Sequence, residues 1–362
     1  MMRGAQRLVA LWRARQTGRA CALVRTAVGA VAVICAICGH AAAEENLSIF
    51  SPESPPANSV RDLFYLIFAI TGVIFVLVEG LILYSAIRYR RKPADASAEP
   101  AQIYGSAPLE MAWTVAPLLI VFVLFLVVVR SVVEAREDPT HANRLEVKVI
   151  GHQWWWAYEY KGADGSTVVT ANELHVPCDE PGDPTPVALT LESADVVHSF
   201  WVPRLAGKTD LIPGKSNRMW FATDKPATYY GQCAEFCGMQ HANMKLLVIS
   251  EPRAEFNAWL ENEQQVAVED ATVAAGRERF LALACVNCHT IRGASSRGAV
   301  GPDLTHLAAR QTLAAGAAPL TREKLIAWIE DPDSIKPGSL MPNMHLSRKD
   351  CELLADYLES LK

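Results

Sequence analysis

The spacing of hydrophobic positions changes twice along this chain. From about Leu63 to Ile87 they run almost unbroken, with Glu79 as the one charge, and from about Met111 to Val129 no charge interrupts them. Runs of this length cross a bilayer as helices, so transmembrane helices are expected over about 63–87 and 111–133. The loop between them opens with Arg88, Arg90, Arg91 and Lys92. Positive residues stay on the cytoplasmic side. The two helices therefore form a hairpin whose loop faces inward, with both chain ends outside and everything beyond about Val133 exported.

From Arg144 to Ser250 the pattern becomes one of short strands. LEVKVIG and PVALTLES alternate, WWWAYEY is aromatic and MKLLVIS closes the run; turn residues such as Pro213-Gly214 separate the segments. This spacing predicts a β-sandwich over 144–250. A polar connector, 251–270, leads to a helical unit over 271–362. In its last segment Leu353, Leu354, Tyr357, Leu358 and Leu361 share one helix face. At the other end, residues 1–43 read as a signal peptide, which leaves 44–143 as the N-terminal membrane segment. Arg3, Arg7, Arg13, Arg15, Arg19 and Arg25 precede an apolar run, Ala27 to Ile37, that is too short to span a bilayer comfortably. Ala41-Ala42-Ala43 then satisfies the small-x-small cleavage rule.

Composition narrows the function. The net charge of -5 over 362 residues is mild and spread along the chain, so no nucleic-acid partner is expected. Of the nine cysteines, Cys21, Cys35 and Cys38 fall in the leader and four others form two tight clusters. Only Cys178 and Cys351 are left over, and no disulfide framework is needed.

The first cluster is CAEFCGMQHANM, Cys233 to Met244. Two thiolates four residues apart, followed by the His241 imidazole and the Met244 thioether, make a soft donor set suited to copper. A blue-copper site uses a single cysteine; the second thiolate here can bridge a second ion. His198, in DVVHSFWVP, is the candidate for the further imidazole. A Cys233–Cys237 disulfide or a structural zinc is the plainer alternative. The second cluster, Cys285-Val286-Asn287-Cys288-His289, is the C-x-x-C-H signature of covalent haem attachment, with His289 an axial ligand. A methionine ahead of the last helix would complete the axial pair, and Met341 and Met344 both qualify by position.

Taken together, GHQWWWAYEY, DVVHSFWVP, GKTDLIPG and CAEFCGMQHANM, placed after two membrane helices, resemble cytochrome c oxidase subunit II over about Val60 to Ser250. The remainder, with GPDLTHL and KPGSLMPNMHLS, resembles a class I cytochrome c. The chain looks like the branch in which the two are fused. The resemblance implies a cupredoxin-like all-β sandwich followed by an all-α cytochrome c domain. It assigns His198, Cys233, Cys237, His241 and Met244 to the dinuclear copper centre, CuA. Glu235 gives its backbone carbonyl to copper and its carboxylate to a magnesium ion shared with the catalytic subunit. Trp154 matches the family's point of electron uptake; burial in the sandwich suits Trp156 better. Trp155 stands where the family usually has tyrosine. In the haem domain the resemblance assigns Cys285 and Cys288 to attachment, His289 and Met341 to the iron, and Pro302 to packing beside His289. Gly276, Phe280 and Tyr357 resemble the contact between first and last helices. No role attaches to His175, His306 or His345 beyond hydrogen bonding or surface exposure.

Glu110, at the cytoplasmic start of the second membrane helix, matches a proton-uptake glutamate. The alternative is a helix-start acid favoured by the dipole. The implied activity is that of the subunit through which electrons enter a haem–copper terminal oxidase. Oxygen reduction is left to the catalytic subunit I, and subunit III, membrane lipid and a periplasmic donor (cytochrome c or a quinol–cytochrome c reductase) are the other expected partners. The implied location is a bacterial inner membrane, crossed more than once. A membrane-anchored copper and haem carrier serving another reductase, such as a nitrous oxide reductase, is the alternative.

Overall fold

The computed structural model describes residues 47–90, 102–136, 144–162, 165–179, 184–268 and 270–362. The expected leader lies outside these residues, as do Arg91 and Lys92 of the basic loop.

Two long helices come first, α1 (Pro55–Arg88) and α2 (Ala107–Arg136). Both outrun the apolar segments that predict them. A hydropathy run marks only the lipid-immersed part, whereas helical hydrogen bonding starts at Pro55, whose fixed φ suits a first turn, and continues through Arg61 and Asp62. The 34 residues of α1 extend about 50 Å, against a hydrocarbon core of about 30 Å. Large apolar side chains such as Phe68, Val76, Leu81, Leu118 and Phe122 are exposed, as lipid-facing helices require. The root of α1 is tied to the domain that follows. Ala222 N donates to Ser54 Oγ at 3.1 Å, and the Glu53 carboxylate meets Arg204 at 2.8 Å and Lys225 at 2.6 Å.

The sandwich has ten strands: β1 (Leu145–His152), β2 (Trp155–Lys161), β3 (Thr167–Ala171), β4 (Glu173–Cys178), β5 (Val187–Ser193), β6 (His198–Trp201), β7 (Thr209–Leu211), β8 (Asn217–Phe221), β9 (Ala227–Cys233) and β10 (Lys245–Pro252). They form two five-stranded sheets, ordered β3-β2-β1-β5-β8 and β4-β10-β9-β6-β7. β1 with β5 and β4 with β10 pair parallel; the other pairs are antiparallel. Alternation turns Val147, Val149, Leu189 and Leu191 inward and leaves Lys148 and Glu192 outside, where they pair at 3.1 Å. Trp156, Tyr158, Tyr160, Phe200 and Tyr229 fill the space between the sheets and are fully buried.

The expected connector is half helical. α3 (Arg253–Gln264) sets Phe256, Trp259 and Leu260 against the sandwich, and His175 stacks on Trp259 with ring centres 4.1 Å apart. Those three residues sit at i, i+3 and i+4, a helical face within a stretch that is polar on average.

The last unit comprises α4 (Ala274–Ala282), one helical turn at Cys285–Cys288, α5 (Arg322–Glu330) and α6 (Arg348–Glu359). Ser347 caps α6 by accepting from Asp350 N, and Thr321 caps α5 by accepting from Lys324 N. α4 crosses α6 where Gly276 lies so close to the Leu353 carbonyl that no side chain fits, beside the Phe280 and Tyr357 rings at 5.9 Å. The expected contact between first and last helices is therefore present. His306 is buried, its ring 2.7 Å from the Lys362 carbonyl and 3.2 Å from that of Gln265.

Candidate functional site

β6 begins at His198, β9 ends at Cys233, and the loop returning to β10 carries Glu235, Cys237, His241 and Met244. Because β6 and β9 are neighbours in one sheet, His198 and the loop arrive at the same end of the sandwich. The two sulfurs are 3.8 Å apart, too far for a disulfide. Around them stand His198 Nδ1, 4.0 Å from Cys233 Sγ, and His241 Nδ1, 3.7 Å from Cys237 Sγ. Met244 Sδ is 3.8 Å from Cys237 Sγ, and the Glu235 carbonyl oxygen is 3.2 Å from Cys233 Sγ. Two thiols, two imidazole nitrogens, a thioether and a carbonyl thus converge on one small volume. Four donors of mixed softness suit one ion; six donors with two shared sulfurs fit a pair of copper ions.

The surroundings orient these donors. His198 is fully buried, and its Nε2 lies 2.8 Å from Asp195 Oδ1, which leaves Nδ1 turned toward Cys233. Gly151 makes room for that ring: a Cβ there would lie 2.8 Å from His198 Cδ2. The two thiols share charge unequally. The contact with Cys237 holds the Cys233 thiol well below its ordinary value, while the same contact pushes Cys237 far up. A bound cation removes that conflict, since it favours thiolate at both positions.

In the helical unit, Cys285, Cys288, His289, Pro302, Met341 and Met344 line one cavity of about 300 Å³. His289 Nδ1 donates to the Pro302 carbonyl at 2.8 Å, so Nε2 is the nitrogen left for a metal. Burial lowers the His289 pKa and keeps the imidazole in its neutral, ligating form. Pro302 thus contributes a carbonyl as well as the expected packing. The donor set, the free thiols and the largely apolar lining fit a covalently held haem. Both methionines reach this cavity, and the lining alone does not rank them.

The cavity has a second wall. Gln153, Trp154, Trp155 and Asn172 of the sandwich line it as well. Trp154 Nε1 donates to the Cys237 carbonyl at 3.0 Å, and Gln153 Nε2 donates to the same oxygen at 2.7 Å. The three tryptophans separate cleanly. Trp156 is in the core, Trp155 stacks on His152 at 4.2 Å, and Trp154 lies between the two sites.

Glu110 sits in the first turn of α2, exposed, with Oε1 accepting from Ser106 N at 3.2 Å. This is the arrangement of a helix-start acid. The Glu235 side chain is exposed at the tip of the copper loop.

Sequence reasoning passed over Asp195, Gln153, Glu173 and Lys336. Asp195 stands three residues before His198, which is a usable but weak signal. The contacts of the others cross between loops and domains, and no local pattern marks them.

Comparisons with known proteins show what the chain is similar to. The profile described as "Cytochrome C oxidase subunit II, transmembrane domain" matches residues 42–131, its periplasmic-domain counterpart matches 145–251, and "Cytochrome c" matches 273–362. The chain is 35% identical to cytochrome c oxidase subunit 2 of Alkalihalophilus pseudofirmus, covering 88% of this chain and 92% of that one. It is 32% identical to the subunit 2 of Bacillus sp. strain PS3, covering 92% and 96%. Among solved structures, the periplasmic domain of subunit II of the cytochrome oxidase of Bradyrhizobium japonicum is 30% identical, covering 35% of this chain and 96% of that domain at a TM-score of 0.32. The chain belongs to the cytochrome c oxidase subunit II family, in a form that carries a cytochrome c domain on the same polypeptide.

Proposed function

We propose that this oxidase subunit receives electrons at its cytochrome c domain and that Trp154 connects that domain to the copper site. His198, Cys233, Cys237, His241, Met244 and the Glu235 carbonyl would hold two copper ions. Cys285 and Cys288 would attach haem c, with His289 and Met341 as its axial ligands. When bound, these groups supply one-electron redox chemistry, while the chemistry of oxygen belongs to the catalytic subunit with which subunit II forms its complex.

The chain's own residues do the positioning. Asp195 turns His198 so that Nδ1 faces the thiols, and the Pro302 carbonyl does the same for His289 Nε2. The Trp154 indole touches the haem cavity on one side and a copper-loop carbonyl on the other. The exposed Glu235 carboxylate would share a magnesium ion with the catalytic subunit, and Glu110, besides accepting from Ser106 N, would pass protons to that subunit at the cytoplasmic end of α2. The location that fits is a bacterial inner membrane, with the sandwich and the haem domain on the periplasmic side. There a soluble cytochrome c or a quinol–cytochrome c reductase is the donor, and subunit III is a further neighbour.

The observation that carries the reading is the convergence of four further donors on two unbonded sulfurs 3.8 Å apart. Electron paramagnetic resonance of the copper-loaded protein tests it. A seven-line mixed-valence signal beside a histidine–methionine haem spectrum is expected. A four-line single-copper signal would overturn the dinuclear assignment.

A further inference from the structure

Lys336 is 4% exposed, on the loop that carries Met341, yet its hydrogen-bond acceptors lie on other segments. Nζ donates to the Trp154 carbonyl of the copper domain at 2.7 Å and to the Ala314 carbonyl of its own domain at 3.0 Å. A lysine buried to this depth without acceptors would be costly, and here the two carbonyls meet it from opposite sides of the domain boundary. Burial brings its pKa down to about 7. Charged or neutral, the amine keeps enough N–H groups for both bonds.

A second fastening holds the same segment, two residues from Ala314. Glu173, 1% exposed in the copper domain, accepts from Gln311 N at 3.0 Å and from Thr312 N and Thr312 Oγ1 at 2.7 Å each. Thr312 opens a hairpin whose tip, Ala314 and Ala315, has φ of 53° and 58°, the left-handed region that L-residues avoid. Both tip carbonyls are used at the boundary, that of Ala314 by Lys336 and that of Ala315 by Lys245 N at 3.0 Å. Gln240, next to His241 in the copper loop, also donates to the Pro337 carbonyl.

We propose that Lys336 and Glu173 are paired positioning residues that clamp the mouth of the haem cavity onto Trp154, so that the fused domain covers the electron-uptake face of the copper domain. The functional part of this inference rests on the electron-transfer reading above. Its consequence is selective: Trp154 is only 9% exposed, so a soluble donor must deliver its electron to the haem domain and has no direct approach to the tryptophan.

The test uses the full-length chain, with Lys336→Met and Glu173→Gln combined. Amide hydrogen exchange over 153–157 and 311–316 is expected to accelerate at least about tenfold, the equilibrium factor for about 1.4 kcal/mol, while β1 and β5 stay protected. Hydroxyl-radical labelling of Trp154 should rise in parallel. Lys336→Gln, which keeps a donor at that depth, should recover part of the protection. Unchanged exchange at the boundary would overturn the clamp. So would loss of protection throughout the sandwich, which would make these residues necessary for folding instead of docking. Copper and haem spectra taken on the same wild-type sample keep the two readings apart, because they can fail while the exchange result stands.

Discussion

The indole Nε1 of Trp154 donates to the carbonyl oxygen of Cys237 at 3.0 Å, while the same side chain lines the cavity that holds Cys285, Cys288 and His289. Trp154, like its neighbour Gln153, therefore borders both cofactor sites. Its position comes from the end of β1, where the chain turns after His152 before re-entering the sheet as β2.

Trp154→Phe keeps an aromatic ring in the cavity wall and deletes the donor to Cys237. Transfer between the two sites, followed by stopped-flow absorbance, is expected to slow roughly 10- to 100-fold, the range seen when a group supporting a metal ligand is removed. The copper signal should persist, since no ligand is lost. A wild-type transfer rate would show that the indole N–H does not matter.

Asp195→Ala removes the acceptor beside His198 Nε2 and leaves the imidazole free to rotate or change tautomer. Copper affinity, measured by competition with a chelator, is expected to fall about 10- to 100-fold. The haem spectrum, set in the other domain, should not move. An unaltered affinity would mean that burial alone orients the ring.

Ala315→Gly relieves a left-handed backbone at the hairpin tip, where φ is 58°. The strain removed is about 1–2 kcal/mol, against about 0.5–1 kcal/mol of added unfolded-state freedom. A net gain of about 0.5–1 kcal/mol is expected, visible as a higher melting temperature of the haem domain. A lower melting temperature would show that the alanine methyl packs better than the strain costs.

Asp179 grips Arg253 at the start of α3 with two bonds, 2.9 Å from Nε and 2.7 Å from Nη2. The Arg253 guanidinium holds this carboxyl below its ordinary value. Since the folded pKa is depressed, the stabilisation is complete above the unfolded value near 3.8 and is lost as pH falls through the lower folded one. Proteolysis of the α3 segment should therefore accelerate below about pH 4 in the wild type. In Asp179→Asn it should already be raised at neutral pH and change less with acid. Identical acid profiles for the two proteins would refute this tie.

Much of the site could be read in advance because its parts are local. Cys233, Cys237, His241 and Met244 share one loop, and Cys285, Cys288 and His289 share one turn, so their spacing already points to a soft metal site and to haem attachment. Two strands of the sandwich, LEVKVIG and PVALTLES, were visible as period-two runs, and the contact of Gly276, Phe280 and Tyr357 came from the resemblance to class I cytochromes c. The membrane helices run beyond the apolar segments at both ends, because hydropathy measures immersion and not hydrogen bonding. α3 was hidden because its three large apolar residues, Phe256, Trp259 and Leu260, are diluted among smaller and polar ones.

By itself, then, the sequence determined the two membrane helices, the order of sandwich and helical unit, and the clusters Cys233–Met244 and Cys285–His289, all of which depend on neighbours within a few turns of chain. Tertiary structure alone decided that Trp154 reaches the Cys237 carbonyl across 83 residues and that Lys336 reaches Trp154 across 182. The physical reason is that such contacts depend on sheet register and on the docking of one domain against another. Those are set by packing between distant segments, which no local pattern records.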